Sequence, residues 1–275
     1  MNIGVFFGSR NPEHDISIIT GCLIAQGLKD LPYDITPVYL NKSGEWFIGE
    51  ELGDIEFYKS EKKDQKLRAF GGYSLDLSKS RGKMVFVKNN LLNRKEIQID
   101  LAFPAFHGQN GEDGTIQGLF ELLNMPYVGC DVVSSAISID KVLTKLMYQR
   151  FNFPTTKFIY FETRDWVEKK DQLVSDIKSS IPWPVFVKPA RLGSSIGIAK
   201  AKNDDELILA IEVALHYDSK VLVEESVEDL MDITVAILGN EDPIPSLIQE
   251  SSYSKDFFSY EDKYLKEGGA QTGNA

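Results

Sequence analysis

Two short stretches hold residue types that could do chemistry on an anionic ligand. Residues 184–201 read PVFVKPARLGSSIGIAKA. Lys188 closes an apolar strand-like run, and Gly193-Ser194-Ser195-Ile196-Gly197 follows. Glycines free backbone amides to face a ligand and serine hydroxyls add donors, a set suited to phosphate oxygens. The loop joins two strand-like runs and lacks the Gly-Lys-Ser/Thr ending of a strand-to-helix phosphate loop. A hairpin whose glycines only serve its turn accounts for the same residues, so both readings stand on this stretch alone. Residues 107–118 read HGQNGEDGTIQG. His107 follows an apolar run, IDLAFPAF, at the strand end where open α/β sheets bind ligands. Gly108, Gly111 and Gly114 allow tight turning. Glu112 and Asp113 sit near the start of the next helix, where its dipole favours negative charge. The competing reading is a glycine turn with a capping acid and an incidental histidine.

Three further stretches carry weaker signals. NPEHDIS puts Glu13 and His14 in the loop after the first strand. Glu13 could bind a ligand ammonium, or simply cap the first helical turn. SIDKVLTK sets Lys141 and Lys145 one helical turn apart, the spacing of a shared face, which solvated lysines also adopt. YEDKYLKEGG clusters Lys263 and Tyr264 before two glycines, as in a mobile lid or a polar surface turn.

The elements that must position these residues follow from the patterning. IGVFFG is a buried strand, and a helix follows with Asp15 as its expected N-cap and Ile16, Ile19, Leu23 and Leu28 on one face. YDITPVYLN completes a β-α-β unit. Residues 42–98 read as a polar hairpin-and-loop excursion. TIQGLFELLN is a short helix, and the run ending in SIDKVLTKLMYQRF is one long helix. Beyond Pro154 the order becomes strand (TTKFIYF), helix (RDWVEKKDQLVSDIKSSI), strand (PVFVKP), glycine loop, strand (GIAKA). An amphipathic helix follows, with Leu207, Ile208, Ile211 and Leu215 on one side. Then come the strand VLVEESV and, as its expected antiparallel neighbour, DITVAILG.

Composition bounds the partners. The chain has 275 residues, 43% hydrophobic and 26% charged, ordinary values for a soluble globular protein with two or three compact units. A net charge of −11 argues against nucleic acid or an anionic membrane as main partner, but a few local cations suffice for a nucleotide. Cys22 and Cys130 form no metal-binding or disulfide pattern. The first residues read as a strand rather than a signal peptide, and no apolar run is long enough to span a bilayer. A cytoplasmic location is expected.

Taken in order, these motifs match one family. The chain resembles D-alanine–D-alanine ligases of the ATP-grasp superfamily. IGVFFGSRNPEHDIS, HGQNGEDGTIQG, MPYVGCDVVSSAISIDKVLTK, VKPARLGSSIG, VLVEE and SYEDKYLKEGGAQTGNA carry the resemblance, which covers nearly the whole chain apart from residues 42–98. It implies an α/β and α+β chain: a parallel α/β substrate-binding domain over 1–140, a central ATP-grasp subdomain over 141–223, and the start of an incomplete C-terminal subdomain over 224–275. It implies ATP, with Lys141 and Lys188 on its phosphates and the loop of Gly193, Ser194 and Ser195 closing over them. Glu224 would accept from the adenine amino group, with the backbone of Glu225 to Val227 nearby. It implies D-alanine, with Glu13 on the first substrate's ammonium, Ser194 and Tyr264 hydrogen-bonded to Glu13, and His107 on a substrate carboxylate. Lys263 and Tyr264 would belong to a closing loop. A homodimer is also implied.

Two departures from the family pattern stand out. The ribose-binding glutamate is matched by the shorter Asp232. The chain also stops at Ala275, before the family's acidic strand and the Asp/Glu…Glu-x-Asn set that hold two Mg²⁺, so no metal ligand is assigned. The expectation is a truncated form with poor or no catalysis of ATP-dependent D-alanine ligation for peptidoglycan. The alternatives are D-lactate or D-serine as second substrate, or a non-catalytic ATP-binding remnant.

Overall fold

The first strand organises the N-terminal half. β1 (Asn2–Gly8) is buried from Ile3 onward, as an apolar run covered on both faces must be. The fold is that of a computed structural model, described over residues 1–88 and 95–251. α1 (His14–Gly27) leads from β1 to β2 (Asp34–Leu40), which pairs in parallel with β1. β3 (Trp46–Ile48), a 3-10 turn (Glu50–Gly53), α2 (Ile55–Lys59), α3 (Lys63–Phe70), β4 (Tyr73–Leu75), β5 (Met84–Lys88) and β6 (Glu96–Ile99) follow. β7 (Leu101–Pro104) returns to pair in parallel with the free edge of β1.

The result is one seven-stranded sheet in the order β6-β5-β4-β3-β2-β1-β7. Residues 42–98 are therefore more than a loop excursion. Their four strands extend the sheet, antiparallel, from β2 outward. The three strands β2, β1 and β7 form the parallel core of the sheet expected for residues 1–140. β1 is also where the chain order reverses, with β2 on one side and β7 on the other.

Two apolar clusters cover the two sides of this sheet. One holds Phe6, Met84, Phe86, Ile99 and Phe120, and the other holds Val5, Phe7, Ile18, Cys22 and Leu52. The second corrects one position of the predicted face of α1. Ile16 is buried and Leu28 packs on this cluster as expected, but Leu23 is 53% exposed and Ile18, Cys22 and Ala25 are buried in its place. The cause is Gly21, which lets the helix approach β1: a Cβ at this position would lie 2.3 Å from Phe7 Cγ. The N-cap also moves. The helix begins at His14, so Asp15 lies inside the first turn, and the cap residue is Glu13.

α4 (Thr115–Leu122) and α5 (Val132–Ile139) follow β7. The long helix expected up to Phe151 is broken. Asp140 has φ −87° and ψ 104°, and its carboxylate accepts from the amides of Val142 and Leu143, so it caps a new helix, α6 (Lys141–Arg150). A buried aspartate that takes two orphan amides makes the break favourable.

By proximity of Cα atoms the described residues form two compact units: those of Met1–Met147 with Arg191–Gly193, and Tyr148–Ala190 with those from Ser194 on. In the second unit, β8 (Phe158–Glu162), α7 (Thr163–Ser180), β9 (Val185–Pro189), β10 (Ala199–Ala201), α8 (Asp204–Tyr217) and β11 (Lys220–Glu225) build an antiparallel sheet in the order β10-β9-β11-β8. Val185, Val187, Val221 and Val223 face α7 and α8 through Trp166, Ile177, Leu207 and Ile211. Strand alternation sends Phe186, Lys188 and Glu224 to the opposite face. DITVAILG does not flank β11 as expected. It splits into β12 (Asp232–Thr234), paired with β15 (Gln249–Ser251), and β13 (Ile237–Leu238), paired with β14 (Ile244–Pro245).

Replacing Gly21 by alanine would drive a methyl group into the Phe7 ring. We expect it to destabilise the protein by about 1–3 kcal/mol, read as a lowered urea midpoint with an unchanged m-value.

Candidate functional site

In the first unit, the loops after β1 and β7 lie side by side because their strands pair. Ser17, on α1, accepts from the Gly8 amide at 2.8 Å and donates to the Ala105 carbonyl at 2.8 Å, so one hydroxyl ties both strand ends. Asn11 donates to the carbonyls of His107 (2.8 Å) and Gln109 (2.6 Å) and accepts from the Glu13 amide (2.9 Å). Glu13 is the buried centre of this cluster, 2% exposed. Its carboxylate lies against Gly108 and Gly193. A Cβ at Gly108, where φ is +67°, would sit 2.2 Å from Oε2, and one at Gly193 2.9 Å from Oε1. His107 is half-buried, with Nε2 2.8 Å from Thr20 Oγ1. Lys141 donates to the Leu192 carbonyl at 2.6 Å and so holds the residue before Gly193. In open α/β sheets the crevice at such a strand reversal is the usual ligand site.

In the second unit, the sheet face away from α7 and α8 carries a different set. Lys188 Nζ lies 2.5 Å from Glu224 Oε1, and Thr156 donates to Glu224 Oε2 at 2.7 Å. Glu224 is 7% exposed, so its charge is largely out of water and needs both partners. The ammonium groups of Lys188 and Lys200 lie 5.6 and 5.8 Å from the Phe186 ring centre, within cation–π range. Lys188, Ser195, Glu224, Glu225, Val227 and Asp232 border one cavity of about 200 Å³. Ser194 and Ser195, in the β9–β10 loop, have φ of +52° and +59°. Left-handed geometry at two adjacent side-chain-bearing residues costs about 1–3 kcal/mol each, and such strain collects at ligand clamps. The face can seat an aromatic heterocycle beside an anionic group.

Two family models match the chain: "D-ala D-ala ligase N-terminus" over residues 2–130 and "D-ala D-ala ligase C-terminus" over residues 147–274. The D-alanine–D-alanine ligase of Thermosipho africanus is 38% identical over 268 residues, covering 98% of this chain and 70% of that protein. The chain belongs to the D-alanine–D-alanine ligase family. The Bacillus licheniformis D-alanine–D-alanine ligase is 36% identical, over 95% of this chain and 70% of its own length. Among solved structures, the Coxiella burnetii D-alanine–D-alanine ligase aligns with a TM-score of 0.75 at 30% identity, over 91% of this chain and 68% of that one. The VanG D-Ala:D-Ser ligase of Enterococcus faecalis aligns with a TM-score of 0.76 at 30% identity, over 96% and 74%. These neighbours give the family's ATP-grasp fold, in agreement with the sequence reading.

Among the described residues no group of three His, Cys, Asp or Glu side chains is placed to hold a metal ion. Lys263 and Tyr264 lie outside the described residues. Among the described residues no helix is long and apolar enough to cross a membrane.

Several site residues had no signal of their own in the sequence. Thr156, Phe186 and Ile198 border the cavity of the second unit. Phe186 was legible only as the residue alternating with Val185 and Val187. Asn11 looked like an ordinary loop residue. His14, beside Glu13, has both ring nitrogens engaged by the protein, 2.6 Å from the Ser9 carbonyl and 3.0 Å from Tyr39 Oη, in a buried site. Desolvation holds its imidazole below the ordinary value of 6.5, partly opposed by the Ser9 carbonyl.

The neutral ring is therefore favoured in the fold. His14 contributes fully above about pH 6.5, and its contribution is lost as pH falls from there through the lowered value. We expect urea midpoints to fall between pH 7 and pH 5 more steeply for the wild type than for His14→Gln.

Proposed function

We propose that this chain is an ATP-dependent D-alanine–D-alanine ligase of peptidoglycan precursor synthesis, working in the cytoplasm. The observation that carries the reading is the buried Glu13 carboxylate, held at the strand reversal against Gly108 and Gly193, where a Cβ would press on its oxygens. An acid in such a place suits the ammonium of an amino acid, because charge-assisted hydrogen bonds are strongest out of water. Membership in the family supplies the substrates. The three-part division at 1–140, 141–223 and 224–275 belongs to the same proposal.

In this reading Glu13 binds the ammonium of the first D-alanine, with the hydroxyls of Ser194 and Tyr264 completing its hydrogen bonds, and His107 contacts a substrate carboxylate. Lys141 and Lys188 neutralise the phosphates of ATP, beside Gly193, Ser194 and Ser195. Glu224 accepts from the adenine amino group, with Glu225 and Val227 nearby and Asp232 on the ribose. Lys188 then exchanges part of its pairing with Glu224 for the nucleotide. A carboxylate oxygen of the first D-alanine attacks the γ-phosphorus and ADP leaves. The amine of the second D-alanine attacks the resulting acyl phosphate, its nitrogen forms the amide, and phosphate leaves. Activation is needed because a free carboxylate has no leaving group. Cations and amide donors stabilise the spread negative charge of the first step. Lys263 and Tyr264 would help exclude water from the reacting groups.

A second reading, D-serine as the second substrate, is favoured by the likeness to the D-Ala:D-Ser ligase. The test is phosphate release from ATP that depends on added amino acid. Release with D-alanine alone, and D-alanyl-D-alanine as product, is expected. Release that requires D-serine or D-lactate moves the assignment of the second substrate. Nucleotide binding with no amino-acid-dependent release points to a non-catalytic binding protein. Glu13→Gln should raise the D-alanine requirement about tenfold or more, the loss of a charge-assisted bond worth about 1.5–3 kcal/mol, and leave nucleotide affinity unchanged.

A further inference from the structure

We propose that Asn11 is a positioning residue that couples the Glu13 loop to the His107 loop and thereby fixes the direction of the Glu13 carboxylate. The inference rests on the reading of Glu13 as the ammonium-binding acid. The two loops are 96 residues apart in sequence, and the Asn11 carboxamide spends three of its hydrogen bonds on them. Its Nδ2 donates to the carbonyls of His107 and Gln109, at 2.8 and 2.6 Å, and its Oδ1 accepts from the Glu13 amide at 2.9 Å. The Asn11 carbonyl also accepts from the His14 amide at 3.3 Å.

The amide group is well matched to this task. It offers two donors and an acceptor on one planar group, which neither serine nor aspartate can reproduce. Its two bonds to carbonyls bracket Gly108, the residue that packs against Glu13 Oε2. Closing on that glycine fixes the position of the wall behind the acid. The bond from the Glu13 amide fixes the backbone from which the acid projects. One side chain thus holds both the backbone of the acid and its wall, beside the Thr20–His107 contact that ties the same loop to α1. The loop after β7 has bonds of its own, from the amides of Gly108 to Glu112 Oε2 and of Gly111 and Glu112 to the Gly108 carbonyl. These close the loop on itself but do not set its place beside Glu13.

The test uses the full chain and the variants Asn11→Ala and Asn11→Asp. Asn11→Asp keeps an acceptor for the Glu13 amide and loses both donors. Amide hydrogen exchange needs no ligand. We expect both variants to speed exchange at Gly108, Gly111 and Glu112 about tenfold or more, while strand amides in β1 and β5 keep their wild-type rates. Unchanged exchange in the 107–114 loop overturns the coupling. Faster exchange throughout the unit assigns Asn11 a merely structural role and also overturns it. Calorimetry then reads D-alanine and ATP separately. A loss of about tenfold in D-alanine affinity with ATP affinity unchanged supports positioning of Glu13, and equal losses for both ligands overturn it. If the wild type and Glu13→Gln bind D-alanine alike, the role of Glu13 fails, and the exchange result still decides the coupling of the two loops.

Discussion

A carboxylate kept out of water sets the terms for the first unit. Glu13 is 2% exposed, and a buried charge is tolerated only where its surroundings are fixed. The sheet supplies the fixing. β1 pairs on one side with the strand that follows it and on the other with a strand from about a hundred residues later. That pairing brings the β7 loop to the acid. Ser17 and Asn11 hold the two strand ends and the two loops together, and Gly108 and Gly193 leave room where any side chain would collide.

The second unit solves a related problem with opposite charge. One sheet face is spent on packing against two helices, which frees the other to present Phe186, Lys188 and Glu224. Lysine and glutamate neutralise each other across 2.5 Å. The pair keeps both groups at a partly dry surface at small net cost, and a ligand with both a donor edge and an anionic tail can divide it. The left-handed Ser194 and Ser195 add local strain beside this face, which a bound anion can offset.

Much of this was legible before the fold. The β-α-β opening, the strand–loop–strand around Lys188 and the helix 204–217 were read from periodicity and from glycine placement, because those signals are local. What was misread depended on distant residues. The buried face of α1 turned on Gly21 meeting Phe7. The break at Asp140 followed from one side chain capping a new helix inside an unbroken helical pattern. DITVAILG has strand-like residues in either pairing, and nothing local says which neighbour it takes. Residues 42–98 read as a hairpin-and-loop excursion because their strands are short and their helices polar, yet they build most of the sheet's width.

The sequence by itself determined the family and the chemical types at the site: an acid after β1, a histidine-glycine loop after β7, a lysine and serines around a hairpin, and a glutamate on the strand that follows. These are fixed by motif order and residue type, which need no coordinates. Only the tertiary structure decided that Glu13 is buried rather than a surface cap, that Asn11 spans two loops, and that Lys188 meets Glu224. Each of these depends on strands far apart in the chain pairing in a particular register, and register is set by the sum of core packing rather than by any residue in the motif.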